Sequence, residues 1–251
     1  LQSKFLLKTI SLTFWLCKEE IIRCYLLFFH LSFVFMDNRE KIKKAYIEYI
    51  LEHGKMPPSA YALTKMLAME ENEFYAQYNS LPAVESDIWL RFFEDARQQT
   101  VSQEVYERYS VREKLLSFYY TWIEVLKVNR SFVLYRIGPQ NHNRELDKIT
   151  LAAFRRAFIN YAHELVAEGR ATGEVVNRPV ITERYADGFW LQALFVLRFW
   201  AKDNSSGFEL TDAAIEKAVN TSFDFIGKSP LDSLFDLGKF LYQTQRAGFG
   251  L

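Results

Sequence analysis

The chain has 251 residues, with 31 basic and 31 acidic side chains, so no net charge draws it as a whole to nucleic acid or to an anionic membrane. It is 49% hydrophobic with only ten Gly and six Pro, which is ample material for a core and too few turn formers for an all-β or loop-rich fold. Both cysteines, Cys17 and Cys24, lie near the start and cannot build a disulfide framework. The four His show no metal-ligand spacing, so neither metal nor cofactor is expected, and a reducing cytoplasm is the expected compartment.

Residues 1–35 are rich in Phe and Leu and differ sharply from the charged, amphipathic MDNREKIKKAYIEYI that follows. Lys18, Glu19, Glu20 and Arg23 interrupt the apolar text, so no stable membrane insertion is expected, and no small-residue cleavage site is visible near Phe33 or Phe35. The expectation is that Met36 is the true start and that residues 1–35 lie outside the fold.

From Met36 the pattern is helix after helix. Ile42, Tyr46, Tyr49 and Ile50 share one face of a first helix that stops at His53-Gly54. Pro57-Pro58-Ser59 makes a turn, with Ser59 capping a short helix through Leu67, and a third short helix covers Glu71–Tyr78. Leu81-Pro82 marks a break before a helix of about Ala83–Arg97 that carries Ile88, Trp89, Phe92 and Phe93. Val111–Val128 is the next long helix, followed by a shorter one at Ser131–Ile137 and the loop GPQNHN at 138–143. In Glu145–Glu168, Leu151, Phe154, Phe158, Tyr161 and Leu165 fall on one face, and Gly169 and Gly173 end the helix. FWLQALFVLRFW at 189–200 is apolar nearly all round, so it is buried on most sides or sits at a subunit interface. A turn at Asp203–Gly207 leads to Asp212–Ile226, with Thr211 as the candidate cap, and a last helix runs from Pro230 to about Gln245. The class is all-α, divided into a small unit at 36–82 and a larger one at 83–251.

Residues 44–86, KAYIEYILEHGKMPPSAYALTKMLAMEENEFYAQYNSLPAVES, resemble the helix-turn-helix domain of the TetR family. Gly54 stands at the turn after the first helix, Phe74, Tyr75 and Tyr78 stand at the aromatic positions ending the recognition helix, and Ser80 at the Ser before the fourth helix. The later stretch EGRATGEVVNRPVITERYADGFWLQALFVLRFWAKDNSSGFELTDAAIEKAV is similar to TetR-type effector domains. The resemblance implies DNA contacts from Lys44, Ser59, Asn72, Tyr75 and Tyr78, with Lys41 and Lys43 beside Lys44. It also implies a ligand-enclosing helical domain, and homodimers paired through two late helices.

The reading positions depart from that pattern. A recognition helix presents its N-terminal residues to the major groove, and here these are Glu70, Glu71, Asn72 and Glu73. A carboxylate can accept from cytosine N4, but three within four positions oppose the phosphate field. From Met36 to Glu85 there are six Lys or Arg against eight Asp or Glu, where a DNA-binding unit should be basic. Ala68 stands where the family carries a more permissive Gly.

No glycine-rich phosphate loop, GxSxG or HExxH motif is present, so an enzyme is not expected. His163 reads as a core or pocket histidine. Phe118, Tyr119, Trp122, Phe154, Phe158, Tyr161 and Trp190 are the candidate lining of an apolar cavity. Leu194 and Val196 on one helix, with Ile215, Val219 and Phe223 on the next, are the candidate pairing surface. The expected protein is a TetR-like homodimer that binds an apolar small molecule or lipid, with DNA binding weakened or lost. An operator-binding repressor and a purely protein-interacting dimer stay open as alternatives.

Overall fold

The computed structural model describes residues 38–138, 150–178 and 181–227. The expected start at Met36, residues 1–35 and the helix at 230–245 lie outside the described residues. The described residues hold nine α-helices and no strand. They are α1 Asn38–His53, α2 Ala60–Met66, α3 Glu71–Gln77, α4 Leu81–Val101, α5 Val111–Val128, α6 Arg130–Ile137, α7 Ala152–Thr172, α8 Tyr185–Lys202 and α9 Glu209–Ile226. No helix among them is long and apolar enough to cross a membrane.

Helices α1–α3 make a small head, with α1 packed on α2, α3 and α4. Ile42, Tyr46 and Ile50 recur at helical spacing on α1 and are buried against Leu63 of α2 and Phe74 of α3. Ser59 caps α2 by accepting the Ala62 N–H at 3.2 Å, as its sequence position predicts. Ser80 likewise caps α4, which starts at Leu81 rather than Ala83 and runs to Val101, so the expected boundary at 82/83 falls inside its first turn. With 21 residues, α4 is roughly 30 Å long at 1.5 Å per residue, enough to belong to both the head and the body.

The body packs α4 against α5 and α7, α7 against α8, and α9 against both α5 and α8. Helix α5 begins at a capping box, in which the Glu113 carboxylate accepts the Ser110 N–H at 2.8 Å. Two expected helix ends move. Gly169 does not end α7, which continues to Thr172 and closes on Gly173 at φ +83. A Cβ on Gly169 would meet Val175 Cγ2 at 2.5 Å, because the chain turns back there and the Val175 N–H bonds the Gly169 carbonyl at 2.9 Å. Glu174, in that returning segment, accepts the Val111 N–H at the start of α5 (3.2 Å), and Arg178 donates to the Phe225 and Gly227 carbonyls at the end of α9 (3.0 and 2.8 Å).

Thr211 is not the cap of the last described helix either. Helix α9 starts two residues earlier, and Thr211 lies fully buried in its first turn. Asp203 does the capping: one carboxylate oxygen accepts from the Thr211 N–H and hydroxyl at 2.8 and 2.6 Å, the other from the Ser205 N–H and hydroxyl at 2.8 and 2.7 Å. Burial opposes ionisation of Asp203, but the hydrogen bonds from Thr211 and Ser205 outweigh it and hold its pKa down to about 2.

Candidate functional site

Helix α3 is the segment that a DNA-reading head would insert. Ala68, just before it, has φ +49, the left-handed region that a glycine would take without strain. Glu70 is the N-cap residue, and its N–H donates to the Glu73 carboxylate at 3.0 Å. One of the three carboxylates thus satisfies a helix-end donor of its own chain, at the site where a backbone N–H would otherwise receive an anion. Glu71, Asn72, Tyr75 and Gln77 are exposed, while Phe74 is fully buried beneath them.

The DNA-contact candidates divide accordingly. Lys44, Ser59, Asn72 and Tyr75 are exposed, although the Ser59 hydroxyl also holds the α2 cap. Tyr78 is not available to a phosphate. Its ring is 4% exposed, and its hydroxyl donates to Asp87 Oδ2 on α4 at 2.6 Å. Burial, then the bond to Asp87, pushes the Tyr78 phenol well up. Arg39 completes the cluster, donating to Asp87 at 3.0 Å with its guanidinium 5.1 Å from the Tyr78 ring centre. Lys43 is also withdrawn, paired with Glu40 at 2.7 Å and Asp87 at 3.3 Å. Burial works against the Asp87 charge, but Tyr78, Arg39 and Lys43 together keep its pKa below the usual carboxylate range.

A second polar group ties the head to the body. Glu85 of α4 is 1% exposed, accepts from the Tyr46 hydroxyl of α1 at 3.1 Å, and forms a buried ion pair with the Nε of Arg136 on α6. Sequence reasoning missed it, yet a signal was present. Glu85, Ile88, Trp89, Phe92 and Ala96 fall on one helical stripe, as do Phe132, Val133 and Arg136 on α6, so each stripe carries one charge on its buried side.

The seven cavity candidates do converge, but as a packed cluster. Phe118, Tyr119, Trp122, Phe154, Phe158, Tyr161 and Trp190 are all buried, and their rings meet at 5.1–6.4 Å, which is direct aromatic contact. Phe93 of α4, which sequence reasoning did not include, touches Phe118, Phe154, Phe158 and Tyr161. These rings pack against one another between α4, α5, α7 and α8. The Tyr119 hydroxyl lies within hydrogen-bonding reach of the Phe189 carbonyl and Gln192 Oε1, at 3.2 and 3.3 Å, and its burial pushes the phenol well up. The Trp122 Nε1 is buried with no hydrogen-bond partner among the described residues. His163, expected in the core or a pocket, is exposed on α7.

The pairing candidates also need correction. Val196, Ile215, Val219 and Phe223 are between 0 and 3% exposed and face the chain's own interior, with Phe223 stacked on Phe189 at 5.9 Å. Leu194 is half-buried. The uncovered apolar face consists of their neighbours, Leu191 (66% exposed) and Phe195 (47%) on α8 and Leu210 on α9. Between the two helices runs a groove of about 670 Å³ floored by small residues, including Ala213, Ala214 and Ala218. Gln192 spans its wall, donating to Ser222 Oγ at 3.1 Å.

Residues 114–241, just over half of the chain, match the family described as tetracyclin repressor-like, C-terminal domain, and the chain belongs to that family. Solved TetR-family proteins share the architecture. A protein described as a TetR-family transcriptional regulator from Syntrophomonas wolfei is 14% identical, covers 74% of this chain and 94% of its own, and superposes with a TM-score of 0.58. The fatty acid degradation regulator FadR from Bacillus halodurans is 18% identical over 74% of this chain and 94% of its own, with a TM-score of 0.52. No curated protein sequence matches the chain. The fold is that of a TetR-type regulator, with a helix-turn-helix head on a helical body.

Proposed function

We propose that the protein is a homodimeric TetR-type regulator whose body takes up an apolar small molecule or lipid and whose head binds DNA weakly. The observation that carries this reading is the bond from the Glu70 N–H to the Glu73 carboxylate at the tip of α3. It supplies the helix end with its own anion, while Glu71 beside it repels a second one. Tyr78 and Lys43, which would otherwise touch phosphate, are committed to Asp87.

Uptake of an apolar molecule is supported by the aromatic interior. The Trp122 N–H there is a donor that a ligand oxygen would satisfy on entry. Pairing is supported by the α8–α9 face, where Leu191 and Phe195 stand exposed beside a groove lined by alanines. Fluorescence anisotropy over DNA fragments flanking the gene tests the head: weak, non-selective binding is expected, and a nanomolar, sequence-selective complex with a steep salt slope refutes it. A thermal-shift series with saturated fatty acids of increasing chain length tests the body, where stabilisation should grow with chain length. The second reading, an operator-binding repressor, draws on Lys44, Asn72 and Tyr75, which all reach solvent.

A further inference from the structure

Two buried donors at the corner between α8 and α9 have no acceptor among the described residues. They are Nη1 of Arg130, at the start of α6, and Nε1 of Trp200, near the end of α8. Trp200 is 0% exposed. The Arg130 guanidinium touches its ring, 4.6 Å from the centre, and also lies 4.5 Å from the ring centre of Phe208. It sits in the angle between those two rings, whose centres are 6.1 Å apart. An indole N–H and a guanidinium only donate, so neither can satisfy the other. The corner calls for an acceptor.

The corner also lacks a counter-charge. Asp203 offers Arg130 only its main-chain carbonyl, to which Nη2 donates at 3.3 Å. The Asp203 carboxylate is taken by Ser205 and Thr211, and that of Glu124 by Lys127 at 2.6 Å. Burial outweighs the charge of nearby Asp203 and lowers the Arg130 pKa from its ordinary value. Water would answer the N–H groups and leave the cation uncompensated. A carboxylate answers both needs, because its paired oxygens match the planar guanidinium fork. Room for it can be made at Phe208, which is half-buried and follows Gly207 with both residues left-handed, at φ +66 and +61. We propose that this corner binds a carboxylate, with Arg130 and Trp200 as its donors. Two sources carry that group, a free short acid and the head of the apolar molecule taken up by the body. Only the second rests on the ligand-binding reading given above.

The test is proton–nitrogen correlation NMR of the full chain, following the indole N–H resonances, with that of Trp200 assigned by its loss in Trp200→Phe. Sodium acetate should move the Trp200 resonance downfield along a saturating curve, and acetamide, its neutral isostere, should barely move it. Arg130→Gln should raise the acetate midpoint about tenfold, the loss of a hydrogen bond to a charged group, while the other indole resonances keep their positions. Sodium octanoate separates the sources. A midpoint about tenfold or more below that of acetate assigns the head of an apolar ligand, since its longer chain is buried as well. A midpoint no lower than that of acetate assigns a free short acid, and counts against the ligand-binding reading while the site stands. A Trp200 resonance that drifts linearly with acetate, follows acetamide equally, or saturates at the same midpoint in Arg130→Gln overturns the proposal. If Arg130→Gln does not fold, Arg130→Lys keeps the charge and loses the planar fork, and a midpoint unchanged in that variant overturns it too.

Discussion

The Tyr78 hydroxyl and the Asp87 carboxylate lie 2.6 Å apart, joining the residue that closes α3 to the second turn of α4. This bond fixes the angle between α3 and α4, and Arg39 and Lys43 of α1 grip the same carboxylate. Tyr78→Phe removes one donor to a charged acceptor and should lower stability by about 2 kcal/mol. Urea unfolding followed by far-UV circular dichroism measures it. A loss below about 0.5 kcal/mol would mean that Arg39 and Lys43 alone hold Asp87.

Ala68 adopts φ +49 directly before α3. A left-handed alanine costs roughly 1 kcal/mol relative to glycine. Ala68→Gly should therefore raise the melting temperature by several degrees, although glycine is ordinarily the more flexible residue. Ala68→Val should lower it by more, because a β-branched side chain resists that region. Differential scanning calorimetry of the three proteins gives the order, and a Gly variant that melts below wild type would refute the strain at this position.

Asp203 has a folded-state pKa of about 2, below the ordinary value of about 3.9. Between those two values the unfolded chain binds the proton and the folded chain does not. The stabilisation is therefore fully present above pH 4 and is lost as pH falls through about 2. Asp203→Asn should be less stable than wild type at pH 6, and the gap should narrow steadily toward pH 2. Urea midpoints of both proteins across that range provide the check, and a constant gap would show that the charge itself contributes nothing.

Phe195 and Val196 are adjacent in sequence, but the first is 47% exposed and the second 1%. Phe195→Glu should leave a folded protomer and abolish pairing, whereas Val196→Glu buries a carboxylate at a cost of several kcal/mol and should unfold the chain. Light scattering at micromolar concentration should give a wild-type mass near twice 29.6 kDa and a Phe195→Glu mass near 29.6 kDa. A wild-type mass of one chain, unchanged by concentration, would remove the pairing assignment.

Glu71 and Glu73 stand at the tip of α3. Reversing both with Glu71→Lys and Glu73→Lys should tighten non-specific DNA binding about tenfold at low salt and steepen the salt slope by about 2, through two added phosphate contacts. Anisotropy titrations on unrelated duplexes measure both quantities. An unchanged slope would place α3 away from the backbone.

Helical periodicity made most of the helices legible, and Val111–Val128 ends where its pattern ends. It could not tell which surface a stripe meets. Ile215, Val219 and Phe223 lie on one real face, but α5 and α8 of the same chain cover it. Asp203 was hidden for a different reason. It caps α9 across an eight-residue separation, and such a bond leaves no local spacing to read. The aromatic cluster was legible as a set of residues. How closely the rings pack depends also on the approach of α4, from which Phe93 joins the cluster.

The missing methyl at Gly169 governs two helix ends at once. Because Val175 can settle into the space a side chain would occupy, the five residues from Glu174 to Arg178 lie as a short clasp, bearing an acid toward the amides that open α5 and a guanidinium toward the carbonyls that close α9. Any larger residue at 169 would press on Val175, the second residue of that clasp. The fastening of the chain's later half to its middle thus turns on the smallest side chain in α7.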